Sequence, residues 1–423
     1  MKKILTAFIL LFIIIIGLIY WSVSSTDKEF ERGKLINIDN IELINFKDYD
    51  SVLIAASMLY EGENIKEFIQ GEQYREAWST PIKAPVVFLD TLFGGMTIIK
   101  EGGGKQTHSL KLKSPNGIMY TLRSVNKDPK PLIPEFLRVL GLENIVVDGI
   151  SAQHPYGAIL AAKLAESSMV IHTNPKLVFI PKQKLLGEFN AKYGNRLFLL
   201  EYESDSEKNW TSLENIIKII DTKDLQKLKF GNPKNVMINK KALVRSRLFD
   251  LLIGDWDRHT KQWGWAIQKN EGQYLAFPIA ADRDNAFFNI EGVIPSLIAN
   301  ENIEPMLRPF EKDIDFLPGL VYPFDRYFLL QTPETIFIEE AKYLQSKLTN
   351  QVIDNSLHVW DKAISNLDGK EITEKIKSRR DNLVYYAVEF KKVIDERGEL
   401  NEALKGSEDI QISDSLMRCF ECQ

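Results

Sequence analysis

The sequence predicts an α+β protein that stands behind one N-terminal membrane-spanning helix. Residues 4–23 form an uncharged apolar run, which is about one bilayer thickness when it is helical. Short alternating segments between residues 86 and 203 are typical of strands, whereas the pattern after residue 204 is mostly helical. The composition is that of a globular protein, with 44% hydrophobic and 26% charged residues in 423.

The apolar run at the N-terminus is predicted to be an uncleaved signal anchor, with a cleaved signal peptide as the alternative. It is longer than a signal-peptide core of about 7–15 residues, and residues 22–25 make a poor cleavage site. Lys2 and Lys3 precede the run, and a short basic tail usually stays in the cytoplasm. The chain is therefore expected to be a single-pass membrane protein with its large domain outside the cytoplasm.

Charge and cysteine content limit the classes of partner. The formal net charge of −5 gives no electrostatic argument for nucleic-acid binding, so no nucleic-acid partner is expected. The two cysteines, Cys419 and Cys422, form a C-x-x-C motif at the C-terminus. No second cysteine pair or nearby histidine completes a zinc site. We interpret them as incidental thiols in a frayed tail, which can oxidise outside the cytoplasm.

Composition and periodicity divide the chain into five segments. These are the anchor (1–23), a tether and helical extension (24–85), a small lobe (86–203), a helical large lobe (204–400) and a tail (401–423).

The small lobe is predicted to contain four strands and one helix. Two alternating strands flank a Pro-Asn-Gly turn, and a glycine run precedes the first of them. The helix has Ser151 as a suitable N-cap and Pro155 in its first turn. The predicted strands are 109–112, 118–125, 176–180 and 196–202, and the predicted helix is 151–169.

The acidic, polar run 203–209 marks the boundary between the two lobes, and the pattern after it is mostly helical. A single strong helix is predicted over 236–253, and two or three more over 333–398. A helical pattern is also predicted over 50–78, in the extension that precedes the small lobe.

Two acidic motifs in the large lobe suggest chemistry. Asp257-Arg258-His259 follows an apolar run, and Asp282 and Asp284 follow about two strands later. Phosphoryl transfer needs one acidic residue to orient the attacking hydroxyl and another to hold Mg²⁺ against the phosphates. Each motif alone is also explained by a salt-bridged turn or a Ca²⁺ site. Their order, after a glycine-rich strand and a connector, favours phosphotransfer.

The order of elements and these motifs resembles the atypical kinase-like superfamily, which includes phosphatidylinositol kinases, HipA-type kinases and secretory-pathway kinases of the Golgi casein kinase and four-jointed type. Residues 257–263, Asp-Arg-His-Thr-Lys-Gln-Trp, resemble the catalytic segment of type II phosphatidylinositol 4-kinases. Residues 280–287, Ala-Ala-Asp-Arg-Asp-Asn-Ala-Phe, resemble their metal segment. The resemblance spans roughly residues 95–290 and implies a two-lobed, protein-kinase-like fold.

The resemblance implies a role for each acidic residue. Asp257 would be the catalytic carboxylate, Asp282 the principal Mg²⁺ ligand and Asp284 a second one. Gln262 stands at the position of the metal-binding Asn, and its carbonyl oxygen can still ligate Mg²⁺ although the side chain is one methylene longer. His259 would be structural.

The resemblance also implies phosphate-binding residues in the small lobe. Gly102, Gly103 and Gly104, followed by Lys105, would bring backbone N–H groups to phosphate, although a hairpin turn explains the glycines almost as well. Arg123 stands where the family has its phosphate-pairing Lys.

Three further roles follow from the same resemblance. Lys127 is the fallback for Arg123. Glu201 and Glu203 would form the connector that hydrogen-bonds adenine through its backbone. The family's helical Glu partner has no single equivalent here, and the candidates are Gln153, His154 and Glu166.

Together these observations favour a Mg²⁺- and ATP-dependent phosphotransferase that acts on a hydroxyl of a protein, lipid headgroup or glycan at the membrane. The alternative is a catalytically inactive kinase-like binding protein of the cell envelope. Arg123, Gln262 and the missing Glu are the departures that keep this alternative open.

Overall fold

A computed structural model shows a mixed α+β protein, as the sequence predicts. It describes residues 2–26, 30, 32–38, 40–62, 64–103 and 106–422.

The predicted anchor is a continuous helix, α1 (Lys2–Ser22). Its mean hydropathy is 2.8 and none of its apolar window is buried, so it is long and apolar enough to cross a membrane. The chain immediately after it is docked against the rest of the protein. Val23 and Thr26 are buried, and the Asn144 side chain donates to their carbonyls at 3.1 and 2.6 Å. The expected free tether is therefore wrong at this point.

The extension after α1 is a small sheet with two short helices, and it is not the helical pattern expected over 50–78. The run Ser51-Val-Leu-Ile-Ala55 pairs on both sides as the central strand. A short apolar run is ambiguous between helix and strand until its partners are known, and here the partners are distant in sequence. The elements are β1 (Lys34–Leu35), β2 (Ser51–Ala55), α2 (Ile65–Gln70), α3 (Arg75–Ser79) and β3 (Ile82–Pro85).

Five antiparallel strands form the second sheet, in the order β4-β5-β6-β8-β7. The elements are β4 (Thr97–Gly102), β5 (Ser109–Lys113), β6 (Met119–Ser124), α4 (Glu135–Val139), α5 (Glu143–Asp148), α6 (Gly157–Ser167), β7 (Lys176–Ile180), α7 (Asn190–Tyr193) and β8 (Arg196–Tyr202). The four strands expected here are confirmed to within two residues at each end.

The helix of this region starts later than expected. Residues preceding a proline avoid the helical conformation, so Pro155 keeps the chain non-helical up to α6. Ser151 lies in a 3-10 turn instead, where its hydroxyl donates to the Asp148 carbonyl at 2.6 Å. Ser151 is therefore not the N-cap of the helix.

A third, four-stranded sheet has the order β10-β12-β11-β9. Its elements are β9 (Ile216–Asp221), α8 (Thr222–Gly231), β10 (Val236–Ile238), α9 (Lys240–Ile253), β11 (Trp263–Asn270) and β12 (Gln273–Ala280). The single helix expected over 236–253 is wrong, because Asn239 divides it. The Asn239 side chain accepts from the Ala242 N–H at 2.9 Å and caps α9, while β10 pairs in parallel with β12.

The rest of the chain is helical, as expected for 333–398, although this segment contains five α-helices where two or three were expected. The helices are α10 (Val293–Ile298), α11 (Pro323–Leu329), α12 (Glu334–Lys347), α13 (Asn350–Ser356), α14 (Lys362–Ile364), α15 (Lys370–Asp381), α16 (Leu383–Arg397) and α17 (Asp414–Arg418), with a π-helical turn at Ser365–Gly369. Helix α9 packs against α12, α15 and α16, which fixes the position of the loop that follows it.

The C-terminal tail is packed and is not frayed as expected. Cys419 and Cys422 form a disulfide, and both Cys419 and Phe420 are buried. The Phe420 ring lies 5.2 Å from that of Phe328, between ring centroids. The tail therefore belongs to the helical core, because its one aromatic side chain fills a place in it.

Candidate functional site

A β-hairpin brings the two acidic motifs side by side. Strands β11 and β12 pair Trp263 with Ala280, and the Ala281 N–H continues the pairing by donating to the Gln262 carbonyl at 3.0 Å. The first motif ends just before β11, and the second begins just after β12. The loop of residues 257–262 and the loop of residues 282–284 are therefore neighbours.

The buried Arg258 side chain links these two loops. Its guanidinium is buried and donates to the carbonyls of Ala281 at 2.8 Å and Gln262 at 3.2 Å. It also pairs with Asp250 of α9 at 3.1 Å. Asp250 also forms an ion pair with Arg283, at 2.9 Å. The Arg of the Asp-Arg-His motif is thus the link between both loops and the helical core, a role that sequence reasoning did not assign.

The carboxylate of Asp250 is the shared acceptor of this network. Burial alone would raise its pKa, but the nearby Arg258, Arg283 and Arg247 hold the pKa below its ordinary value. Asp250 therefore stays ionised at neutral pH, and the arginines around it stay oriented.

Asp257 is the accessible carboxylate of its loop. Its neighbour Asp255 is fully buried, and burial raises the pKa of Asp255 well above its ordinary value. Asp255 accepts the Asp257 N–H at 3.2 Å and so shapes the loop. The Asp257 side chain is 26% exposed, and the His259 Nε2 lies 3.7 Å from its Oδ1. An incoming hydroxyl can reach Asp257 but not Asp255.

Arg123 of β6 reaches the second acidic loop. Its Nε and Nη2 donate to the Glu201 Oε1 of β8 at 2.9 and 2.7 Å, and its Nη1 pairs with Asp282. Burial disfavours the charged guanidinium, but Asp282 and Glu201 outweigh burial and raise the pKa of Arg123. Arg123 therefore remains a cation between two carboxylates.

Lys127, just beyond β6, pairs with the other carboxylate of that loop, Asp284. Its ammonium also donates to the Thr107 hydroxyl at 3.1 Å. Thr107 lies in the connection between β4 and β5, so Lys127 ties this connection to the acidic loop.

The glycines of this connection allow close backbone approach. Gly102 pairs with Ser109 at the end of β4. Gly103 has a φ of +112°, and a Cβ there would lie 2.2 Å from the Thr107 carbonyl oxygen, so a side chain cannot be placed. Gly104 and Lys105 lie outside the described residues.

Asp282 and Asp284 differ in protonation behaviour. Burial by itself would raise the pKa of both carboxyls. At Asp282, Arg123 and Lys127 outweigh burial and the repulsion from Asp257, and they hold its pKa below the ordinary value. At Asp284, burial and the charge of Asp282 prevail over Lys127, and the pKa is raised.

Asp282 has two further features of a ligand residue. Its backbone is left-handed, with φ of +55°, a conformation that Asp tolerates better than most residues. Its Oδ1 is buried and has no hydrogen-bond donor among the described residues. An anionic oxygen without a donor is costly unless a cation fills the place.

Glu201 and Glu203 are not arranged as the adenine-binding connector expected from the sequence. The Glu201 side chain is buried against Arg123 and accepts from the Thr173 hydroxyl. The Glu203 N–H donates to the Met119 carbonyl at 3.0 Å, and its own carbonyl accepts from the Trp210 indole at 2.9 Å. Both backbone groups of Glu203 are engaged within the protein, because the end of β8 continues its pairing with β6.

The three candidates for a helical partner of Arg123 have other contacts. The Gln153 amide donates to Asn285 at 2.7 Å, the His154 ring lies 3.2 Å from Asp368, and Glu166 pairs with Lys163 at 2.7 Å. Glu201 takes the position of partner instead. The signal in the sequence was one acidic residue inside the buried apolar strand Arg196–Tyr202, since a fully buried Glu is normally paired.

The available ligands suit Mg²⁺ held together with phosphates. Among the residues described, no group of three or more His, Cys, Asp or Glu side chains is arranged to hold a metal ion. Mg²⁺ commonly takes one or two carboxylates and completes its shell with water and substrate phosphates, whereas Ca²⁺ takes six to eight oxygens. Asp282 and Asp284, with the buried Gln262 beside them, fit the first pattern.

The space behind these residues is small in the present arrangement. A cavity of about 10 Å³, room for about one water molecule, is lined by Arg123, His172, Thr173, Glu201 and Asp282, among others. Arg123 fills the gap between the five-stranded sheet and the acidic loop. A nucleotide needs this ion pair to rearrange.

Comparisons with known proteins give fold likenesses at low similarity. No family model matches the sequence, and no curated protein matches it. Nine chains of solved structures match. One is the Helicobacter pylori proinflammatory kinase CtkA, with 15% identity, a TM-score of 0.37, and coverage of 70% of this chain and 96% of that one. Another structure is the Shewanella oneidensis MR-1 toxin-antitoxin system of HipA, HipB and operator DNA. Its matched chain has 12% identity, a TM-score of 0.31, and coverage of 75% and 68%. At these TM-scores neither likeness says what this chain does.

Proposed function

We propose that this chain is a Mg²⁺- and ATP-dependent phosphotransferase that acts on a hydroxyl acceptor at a membrane. One observation carries the proposal. The β11–β12 hairpin brings the loop of the accessible Asp257 beside the loop of Asp282 and Asp284, and Arg123 and Lys127 form ion pairs with Asp282 and Asp284. Carboxylates for metal and acceptor, facing two cations for phosphate, are the groups that phosphoryl transfer requires.

Positions along the chain support the same assignment. Arg123 lies on the third strand of its sheet, and protein kinases present their phosphate-pairing Lys from the third strand. Gln262 follows Asp257 by five residues, the spacing between Asp and Asn in the kinase catalytic loop. The positions of Arg123 and Gln262 along the chain are thus similar to those of the corresponding residues in protein kinases, which supports the proposal.

The proposed reaction assigns a role to each group. Asp257 accepts the proton of the acceptor hydroxyl, whose oxygen forms a bond to the γ-phosphorus while the bond from that phosphorus to the bridging oxygen breaks and ADP leaves. Asp282, Asp284 and Gln262 would hold Mg²⁺, which neutralises charge on the phosphates. Arg123 and Lys127 would move from these carboxylates to phosphate oxygens, where a guanidinium binds in a bidentate manner.

The second candidate is a kinase-like envelope protein that binds a ligand without catalysis. Arg123 and Lys127 occupy the carboxylates of Asp282 and Asp284, and the remaining cavity holds about one water molecule. In the phosphotransferase this arrangement is a resting state, whereas in the binding protein it is permanent. Turnover separates the two candidates.

The test uses the purified full-length chain in lipid nanodiscs with labelled ATP. We expect Mg²⁺-dependent nucleotide binding together with autophosphorylation or ATP hydrolysis. Asp257→Ala is expected to abolish transfer and leave nucleotide binding nearly intact, and Asp282→Ala to remove Mg²⁺-dependent binding and transfer together. Asp409→Ala is the matched control, because its carboxylate is exposed and pairs only at the surface with Lys223.

Two results would contradict the proposal. One is nucleotide binding that is absent or independent of Mg²⁺, with no transfer or hydrolysis. The other is full activity in Asp257→Ala. The first result makes the binding protein the better account, whereas the second removes the catalytic role from Asp257.

A further inference from the structure

Three short elements expose large apolar side chains. Phe68 on α2 is 72% exposed, Val139 at the end of α4 is 78% exposed, and Leu297 on α10 is 60% exposed. Their exposed apolar neighbours are Phe136, Leu140, Val293, Ile298, Ile303 and Met306. We call these side chains of α2, α4, α10 and the turn after it the apolar rim.

The apolar rim surrounds the end of α1. Helix α2 packs against both α1 and α10, and Gly71 and Gly292 join α2 to α10 so closely that a Cβ on Gly292 would lie 2.2 Å from the Gly71 nitrogen. On the other side, the Tyr20 hydroxyl of α1 donates to the Leu140 carbonyl at the end of α4. All three rim elements therefore lie near the C-terminal end of α1.

We propose that the apolar rim lies in the surface of the bilayer that α1 spans, so that the folded domain is seated on the membrane. Continuity with α1 identifies the occupant. None of the apolar window of α1 is buried, and such a surface suits lipid. Its last turn contacts the rim elements, through Ser22 with Gln70 of α2 and through Tyr20 with the end of α4. Tyr20 and Trp21, both exposed, stand at this boundary, where Tyr and Trp are enriched in membrane proteins.

The contact is apolar and does not depend on basic residues. Arg138 on α4 is accompanied by the more exposed Glu135, 3.6 Å away, and Glu291, Glu301 and Glu304 flank α10. Attraction to anionic lipid needs an excess of Lys and Arg, which the rim lacks. Its binding energy comes from burial of apolar surface at the interface.

Seating on the membrane also orients the candidate site. The chain runs from Asp284 through the buried Phe288 and Ile290, which pack against Trp256, directly to α10. The segment after the second acidic motif thus ends in the bilayer surface. This inference stands on the exposed side chains and on α1, and it does not rest on phosphotransfer.

The test places a fluorophore on the rim of the full-length chain in phosphatidylcholine nanodiscs. Single cysteines are introduced as Phe68→Cys, Val139→Cys and Leu297→Cys and labelled with an environment-sensitive dye, while Cys419 and Cys422 remain paired. The control is Phe230→Cys on α8, which is 49% exposed and lies outside the rim. Lipids with a spin label near the headgroup are expected to quench the three rim sites several-fold more than the control.

Each outcome decides for or against the proposal. Quenching at the control level would overturn it, and disulfide cross-links between the unlabelled introduced cysteines of two chains, without lipid quenching of the labelled ones, would assign the rim to a second copy instead. Adding phosphatidylglycerol is expected to leave the quenching unchanged. Quenching that appears only with this anionic lipid would overturn the apolar mode of docking. Activity is not part of this readout, so failure of the phosphotransfer proposal leaves the result interpretable.

Discussion

Arg123 and Asp282 form a partly buried ion pair between the five-stranded sheet and the loop that follows β12. The same guanidinium also holds Glu201. Buried ion pairs contribute little net stability, because desolvation offsets the attraction, so this pair is better understood as a device of the site. It keeps a cation on Asp282, and it holds the sheet and the loop at a fixed separation.

The first prediction ranks the two cations of the site. Arg123→Ala is expected to weaken Mg²⁺-nucleotide binding by about tenfold or more, which corresponds to about 1.4 kcal/mol, because a bidentate phosphate contact is lost. Lys127→Ala is expected to have a smaller effect. Isothermal titration of nucleotide into each variant measures the order, and the reverse order would move the phosphate role to Lys127.

The control for this ranking is Glu201→Gln. Removing Arg123 leaves Glu201 buried without its cation, which destabilises by about 3–5 kcal/mol in other proteins, so part of any binding loss comes from the fold. Glu201→Gln keeps the size of the side chain and frees Arg123 from one carboxylate. We expect its nucleotide binding to be equal to or tighter than that of the unaltered chain. A tenfold loss would show that Glu201 itself contacts the nucleotide.

A second prediction concerns pH. Burial, with the charge of Arg283, lowers the pKa of His172 to about 4, against about 6.5 in an unfolded chain. As pH falls from 6.5 towards 4, the unfolded state binds the proton first, so the free energy of unfolding decreases across this window by up to about 3 kcal/mol. His172→Gln is expected to flatten the dependence in denaturant titrations. The control Asn302→Gln, at an exposed position without a titratable side chain, should leave the slope as it is.

The third prediction concerns topology. A reporter that folds only in an oxidising, extracytoplasmic compartment is expected to be active when it is fused to the C-terminus. The Cys419–Cys422 disulfide agrees with this orientation, since disulfides are rare in the cytoplasm. A second fusion, to a reporter that works only in the cytoplasm, provides the control. Activity of the second reporter alone would reverse the orientation and would place the candidate site in the cytoplasm.

The fourth prediction tests the packed tail. Phe420→Ala is expected to lower the free energy of unfolding by about 3–5 kcal/mol, because it removes a buried ring beside Phe328 and leaves a cavity. The control is Phe230→Ala, whose ring is half exposed and which should change stability by about 0.5 kcal/mol or less. Thermal unfolding of both variants checks the difference. Equal effects would mean that the tail is frayed after all.

Features that depend on a local pattern of residues could be predicted from the sequence alone. The apolar run of α1 has no charge from Ile4 to Val23, and no distant partner is needed to make it helical. Strands β7 and β8 agree with the expected ranges 176–180 and 196–202, because short, mostly apolar runs rich in β-branched and aromatic residues favour a strand over a helix. The two acidic motifs were also evident, since their residue types and spacing are written in one short stretch.

The ion pairs of the candidate site could not be predicted from the sequence and are seen only in the folded structure. Arg123 pairs with Glu201 and Asp282, and Lys127 pairs with Asp284, over separations of about 80 to 160 residues that no local pattern encodes. The division of residues 236–253 at Asn239 likewise depends on a distant segment. Asn239 caps α9, and β10 before it is a strand because it pairs with β12. Buried charges and short strands are stable only with their partners. Their arrangement is therefore a property of the whole fold, and not of the segment that carries them.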